Sequence, residues 1–165
     1  MPKERPDSLE ELLEQWFDTL SKNINTVMPG VVEKKNSDNT VDVRPAIKRK
    51  YQDGLELELS LLLNVPVLYP YSSKMSLSWP LEKGDPVVCI FSQRDLENWK
   101  EAGGVVSPGT TRHHDISDGF CFPAGAYPGQ QNVDDNKLIL KYNNAEVTID
   151  QNDQVSINGH LTIDK

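Results

Sequence analysis

The stretch that begins at Leu138 repeats one short phrase: Val147-Thr148-Ile149-Asp150, then Val155-Ser156-Ile157-Asn158, then Leu161-Thr162-Ile163-Asp164. Each phrase runs apolar, small polar, Ile, then Asp or Asn, and polar turn formers separate the phrases. Alternation of period two marks a strand with one apolar face. Strands this short cannot hide that face alone, so a chain written this way needs stacked neighbours. The expectation is a fibrous β-tail whose core comes from other copies of the same chain. The phrases run to Lys165 with no capping segment, so the tail is expected to stop inside the repeat. The competing expectation is an ordinary β-meander that closes the domain.

The rest of the chain has room for one domain of ordinary size. Charged residues make up 25% and hydrophobic residues 37%, a globular composition. There are 25 acidic against 17 basic side chains, a formal net charge of -8. That balance opposes binding to nucleic acid, whose affinity rests on Lys and Arg neutralising phosphates. It also opposes adhesion to anionic lipid. No apolar run is long enough for a membrane-spanning helix. The start Met1-Pro2-Lys3-Glu4-Arg5-Pro6 is followed by no apolar stretch, so no ordinary secretory signal is expected and folding is expected in a cytoplasm. Cys89 and Cys121 make neither a metal spacing nor a disulfide framework. Cys89, inside Val87-Val88-Cys89-Ile90-Phe91, reads as a small buried apolar residue.

Along the chain, residues 1–24 read as an amphipathic helix behind a frayed start. Ser8 and Glu11 have the spacing of a capping box. Leu9, Leu12, Leu13, Trp16, Phe17, Leu20 and Ile24 fall at helical spacing and make one broad apolar stripe. That stripe either packs on its own domain or docks on another subunit. From Thr26 the pattern turns to β. Pro29-Gly30 breaks the run Val27 to Val32, which predicts an edge or kinked strand. Ser37-Asp38-Asn39 is a turn, and Val41-Asp42-Val43-Arg44 is the return strand of a hairpin. Asp53-Gly54 is a second turn, followed by Leu55, Leu57 and Leu59 at period two. Val65-Pro66-Val67-Leu68-Tyr69 is a short strand suited to an edge. Pro86 to Phe91 is the candidate for a fully buried strand, and Asp95 to Ala102 for one or two helical turns. Residues 103–136, rich in Gly, Pro and Asp, read as a long loop. About five such strands suggest an OB-like Greek-key barrel over residues 25–126, with a small β-sandwich as the alternative.

A search for chemistry returns little. The densest polar cluster is Arg112-His113-His114-Asp115-Ile116-Ser117-Asp118. Adjacent histidines in an extended chain point to opposite faces, so they rarely chelate together. His113 with Asp115 has the strand gap of a weak metal site, but loop hydrogen bonding and turn capping are the stronger reading. His160 follows Asn158-Gly159 and reads as exposed at a turn. No glycine-rich phosphate cradle, nucleophile elbow or Cys–His pair stands out. Neither catalytic residues, nor a cofactor, nor a metal site is expected. The one basic cluster, Lys48-Arg49-Lys50 beside Tyr51, is the footing for an alternative function: an OB module that binds single-stranded nucleic acid or saccharide.

Several phrases together resemble the N-terminal domain of bacteriophage central-spike proteins, the membrane-puncturing spikes of contractile-tail baseplates. They are Met28-Pro29-Gly30-Val31-Val32, Val41 to Lys48, Val65-Pro66-Val67, Pro80 to Val88, Phe91-Ser92-Gln93-Arg94 and Arg112 to Phe120, in order over residues 24–126. The resemblance implies an OB-fold base of a homotrimer, a linker over 127–137, and the start of an intertwined trimeric β-helix over 138–165. Val147, Ile149, Val155, Ile157, Leu161 and Ile163 then point at the shared axis, while Thr148, Ser156 and Thr162 face water. It further implies a place in the virion tail below a baseplate hub or tail-tube protein. The host outer membrane is then the mechanical target. Spikes of this family often end in a sharp tip, in some cases with histidines holding a metal ion. This sequence has no His-x-His pair, so a separate tip protein or a missing C-terminal tip is expected, and the metal is not carried over.

Overall fold

The N-terminal helix α1 (Leu9–Lys22) starts where its first backbone donors find a partner. The Ser8 hydroxyl accepts from the Glu11 N–H at 3.2 Å, with Ser8 itself extended. Glu10 and Glu11 lie in the first turn and Lys22 in the last, which complements the helix dipole. This computed structural model describes residues 8–51, 53–124, 134 and 136–160. The chain divides into two compact units, Met1–Ala126 and Tyr127–Lys165.

Among the described residues of the first unit, nine strands and a second helix follow α1: β1 (Val27–Lys35), β2 (Thr40–Pro45), β3 (Arg49–Lys50), β4 (Glu56–Leu57), β5 (Leu62–Pro66), β6 (Tyr71–Ser72), β7 (Met75–Ser76), β8 (Pro86–Phe91), α2 (Glu97–Ala102) and β9 (Gly119–Phe122). Five of these make one antiparallel sheet in the order β5-β2-β1-β8-β9. The two ends of that sheet meet. Val67, just past β5, makes a parallel bridge to Cys121 of β9, and the Leu68 N–H donates to the Cys121 carbonyl at 2.8 Å. The result is a nearly closed, barrel-like sheet. The pairs β3–β4 and β6–β7 are separate two-stranded hairpins.

Turn chemistry accounts for the hairpins. At the β1–β2 turn, Asn39 takes φ 60°, which Asn tolerates. Asp38 Oδ1 there accepts from the Thr40 N–H and hydroxyl. At the β3–β4 turn, Gly54 takes φ 86° and Asp53 Oδ1 accepts from the Leu55 N–H.

The barrel interior is built from alternate residues. Val32, Val41, Val43, Leu62, Val65, Leu81, Val87, Cys89, Phe91 and Cys121 form the buried cluster, with Met28, Val67, Trp79 and Ile116 packed around it. Two expectations need correction here. β8 is not buried on both faces: Val87, Cys89 and Phe91 point inward, while Ile90 is 40% exposed. β1 is neither an edge strand nor broken by its Pro-Gly, for it pairs with both β2 and β8. Pro29 fits because its missing N–H falls where the β1–β2 pairing ends, one step past Gly30↔Pro45. Gly30 fits because a side chain there would collide with Val43.

The loop expected over 103–136 also contains a strand. β9 pairs with β8 at Val88↔Phe122, Cys89↔Cys121, Ile90↔Phe120 and Phe91↔Gly119. Phe120 meets Trp99 of α2 edge-on at 5.4 Å, which fixes the short helix against the closing strand.

The described residues of the second unit form a three-stranded antiparallel meander of β10 (Lys137–Tyr142), β11 (Ala145–Asp150) and β12 (Val155–Asn158). Asn143 turns the first connection with φ 51°. Asp150 Oδ1 accepts from the Asn152 and Gln154 N–H groups at the second, with Asp153 at φ 60°.

Candidate functional site

In an antiparallel pair, opposed residues share a face of the sheet. The second unit therefore sorts its side chains cleanly. Leu138 lies opposite Ile149, and Ile149 opposite Val155. Leu140 lies opposite Val147, and Val147 opposite Ile157. These six residues form two apolar rows on one face. The other face carries Ile139, Thr148 and Ser156 in one row, with Lys141, Glu146 and Asn158 in the next. Among the described residues most of this face is exposed, Leu138 to 67%, Leu140 60%, Val155 61% and Ile157 52%, with Val147 half-buried.

Of the six axis residues read from the sequence, Val147, Ile149, Val155 and Ile157 share this face. Leu161 and Ile163, with Thr162, lie outside the described residues. Leu138 and Leu140 belong to the same face but escaped the sequence reading, which followed only the repeated phrase. The available signal was the alternation Leu138-Ile139-Leu140-Lys141.

A second uncovered apolar surface lies on α1. None of its residues is buried, and among the described residues it packs against no other helix or strand. Trp16 is 67% and Phe17 74% exposed.

The cluster around the two histidines is a loop clamp. Arg112 Nε donates to Asp118 Oδ2 at 3.1 Å and its Nη2 to Asp118 Oδ1 at 3.2 Å. The same guanidinium pairs with Asp95 at 3.4 Å. Asp118 also accepts from the Leu96 N–H, and Asp95 from the Glu97 N–H and the Thr110 hydroxyl. The Thr110 and Glu97 bonds, then the Arg112 charge, hold the Asp95 carboxyl below its ordinary pKa. The Asp118 bonds raise Arg112 above its own ordinary value. His113 turns to Arg94 and the Thr111 carbonyl. His114, at φ 50°, donates from Nδ1 to the Asn25 carbonyl and takes the Asn25 amide on its own carbonyl at 2.8 Å. The adjacent histidines thus diverge. Among the described residues no group of three or more His, Cys, Asp or Glu side chains is placed to hold a metal ion.

Two of the three cations in the basic cluster have acidic partners. Lys48 pairs with Glu58 and Lys50 with Glu56, across the small hairpin that carries both. A cavity of ≈ 280 Å³ opens beside the β1–β2 turn, lined by Lys35, Asn39, Thr40, Val67, Tyr69 and Trp79 among others. Tyr69 and Trp79 meet edge-on there at 5.4 Å, and the Tyr69 hydroxyl donates to the Trp79 carbonyl at 2.6 Å.

The first unit is thus a barrel-like sheet and the second a small sheet with an exposed apolar face. The sequence model of the family described as phage protein Gp138 N-terminal domain matches residues 28–124, more than half of the chain and the five strands of the barrel but for Val27. The chain belongs to that family and is a phage structural protein. No curated protein matches the sequence.

Proposed function

We propose that this protein is the base and first β-segment of a trimeric baseplate spike, acting mechanically on the host outer membrane when the tail contracts. The first unit is the OB-type base. Its circular strand order β1-β2-β5-β9-β8, with one parallel contact closing the ring, supports that reading. The base sits below a baseplate hub or tail-tube protein in the virion. The second unit opens a three-chain β-structure in which each copy turns the same apolar face to a common axis.

The observation that carries this proposal is the pair of open rows Leu138-Ile149-Val155 and Leu140-Val147-Ile157. Six aliphatic side chains on a three-stranded sheet leave it marginal in water unless something packs on them. A closed three-fold ring buries the rows and leaves no edge strand free. Stiffness then follows from dense backbone pairing around a dry core, and no catalytic step is needed.

The test is absolute mass by light scattering after size exclusion. One chain is 18.6 kDa, so the trimer should weigh roughly 56 kDa. Ile149→Asp and Ile157→Asp should each abolish the trimer, because three carboxylates then crowd one apolar axis. A wild-type monomer, or aspartate variants that remain trimeric, would contradict the shared axis.

A further inference from the structure

The two cysteines lie far apart in sequence but face each other across the β8–β9 seam. The Ser92 N–H donates to the Asp118 carbonyl at 2.7 Å, which makes that opposed pair a hydrogen-bonded one. Bonded and non-bonded pairs alternate along an antiparallel ladder. Stepping back from Ser92, Phe91↔Gly119 is non-bonded, Ile90↔Phe120 bonded and Cys89↔Cys121 non-bonded. Two further bonds agree with this parity. The Phe91 N–H donates away from the seam to Thr26, and the Cys121 carbonyl accepts from Leu68 on the opposite side. In a non-bonded pair the Cα atoms are about 4.5 Å apart and the side chains lean together, inside the disulfide window of about 4.4–6.8 Å. Both thiols are free, and both side chains are 0% exposed on the barrel's inner face.

We propose that Cys89 and Cys121 are a redox pair that closes an intrachain disulfide across the β8–β9 seam when the protein meets a small-molecule disulfide. One thiolate attacks the oxidant, releases one thiol and leaves a mixed disulfide. The second thiolate displaces the other thiol and forms the S–S bond. Both cysteine protons leave, and the two electrons end on the oxidant, which becomes two thiols. Cross-strand Cβ atoms stand about 4.5–5.5 Å apart, against about 3.5–4.5 Å in a disulfide. A non-bonded pair lies at the close end of the first range, so closure asks for only a small approach of the strands. Burial pushes Cys89 up to about 11 and Cys121 up to about 12. The thiols thus react only when the seam opens, and in a reducing cytoplasm they stay reduced. Because Cys121 also carries the contact that seals the barrel to Val67 and Leu68, the bond locks the closing strand. This inference is independent of the assembly reading.

The experiment incubates the purified full chain with oxidised glutathione at mildly alkaline pH. It then follows intact mass, thiols titrated in denaturant and a non-reducing digest. Both thiols should disappear together with a loss of about 2 Da, the mass of the two hydrogens released. The digest should yield one linked peptide pair containing Cys89 and Cys121, and dithiothreitol should reverse all three signals. Cys121→Ala should instead accumulate a glutathione adduct on Cys89 that the wild type resolves. A persistent single adduct on the wild type, a bond between chains, or two thiols still free after sub-denaturing urea has opened the seam would each overturn the proposal.

Discussion

Replacing Gly30 with Ala probes the barrel interior at its tightest point. A Cβ on Gly30 would lie 2.5 Å from Val43 Cγ1, and 3.3 Å from both the Arg44 carbonyl oxygen and Cys89 Sγ. Carbon atoms ordinarily approach to about 3.5–4.0 Å, so the new methyl overlaps Val43 by roughly 1 Å or more. Val43 is fully buried and β-branched, which confines its χ1. The Arg44 oxygen is backbone, paired to β1 at Val31↔Arg44. Overpacking of this kind costs about 1–3 kcal/mol, and a rigid neighbour puts the cost near the upper end. Ala recovers about 0.5–1 kcal/mol of strand propensity over Gly, so the net loss is about 2 kcal/mol. Urea unfolding at one fixed protein concentration, followed by tryptophan fluorescence, should show the midpoint fall by roughly 1 M for a typical slope. Val43→Ala alone removes two carbons and costs about 2 kcal/mol, transfer and cavity together. In the double variant the clash is gone, so its loss should be smaller than the sum of the single losses by about 1 kcal/mol or more. Strict additivity, or Gly30→Ala unfolding at the wild-type midpoint, would refute the reasoning.

Two other perturbations separate local from global effects. Ser8→Ala removes the cap on α1 and about 1 kcal/mol of local helix stability. Since α1 packs on no other described element, far-ultraviolet circular dichroism should lose helical signal while the unfolding midpoint stays in place. A shifted midpoint would mean that the helix is covered in solution. The buried Asp42 accepts from the Asn64 N–H and the Asn36 amide, which hold its carboxyl below the ordinary Asp pKa. The folded state then binds fewer protons than the unfolded chain, so this stabilisation is present above the ordinary Asp range. It drains away as pH falls through that range toward the folded value. Asp42→Asn keeps an acceptor but cannot titrate, so unfolding midpoints compared at neutral and acid pH should converge relative to wild type. An unchanged pH slope would remove Asp42 from the account.

What could be read in advance was whatever neighbours in sequence decide. Ser8 with the stripe behind it specified α1, because a cap and a 3.6-residue period act within a few residues. Asp38-Asn39, Asp53-Gly54 and Asn143 marked turns, because positive φ and side-chain-to-backbone bonds are local. The alternation after Leu138 marked short strands and the face shared by Val147, Ile149, Val155 and Ile157, for period two needs no partner to be visible, while the register added Leu138 and Leu140 to that face. The tertiary structure decided the rest, through contacts between residues far apart in the chain. Gly119 to Phe122 is a strand only because β8 supplies its hydrogen-bond partners and Leu68 takes up its outer carbonyl, so four residues among Gly, Pro and Asp carried no period to detect. Pro29 stands in a central strand because the ladder to β2 stops at that residue. Cys89 and Cys121 became a pair through register alone, since one residue of slip would turn one sulfur inward and the other out.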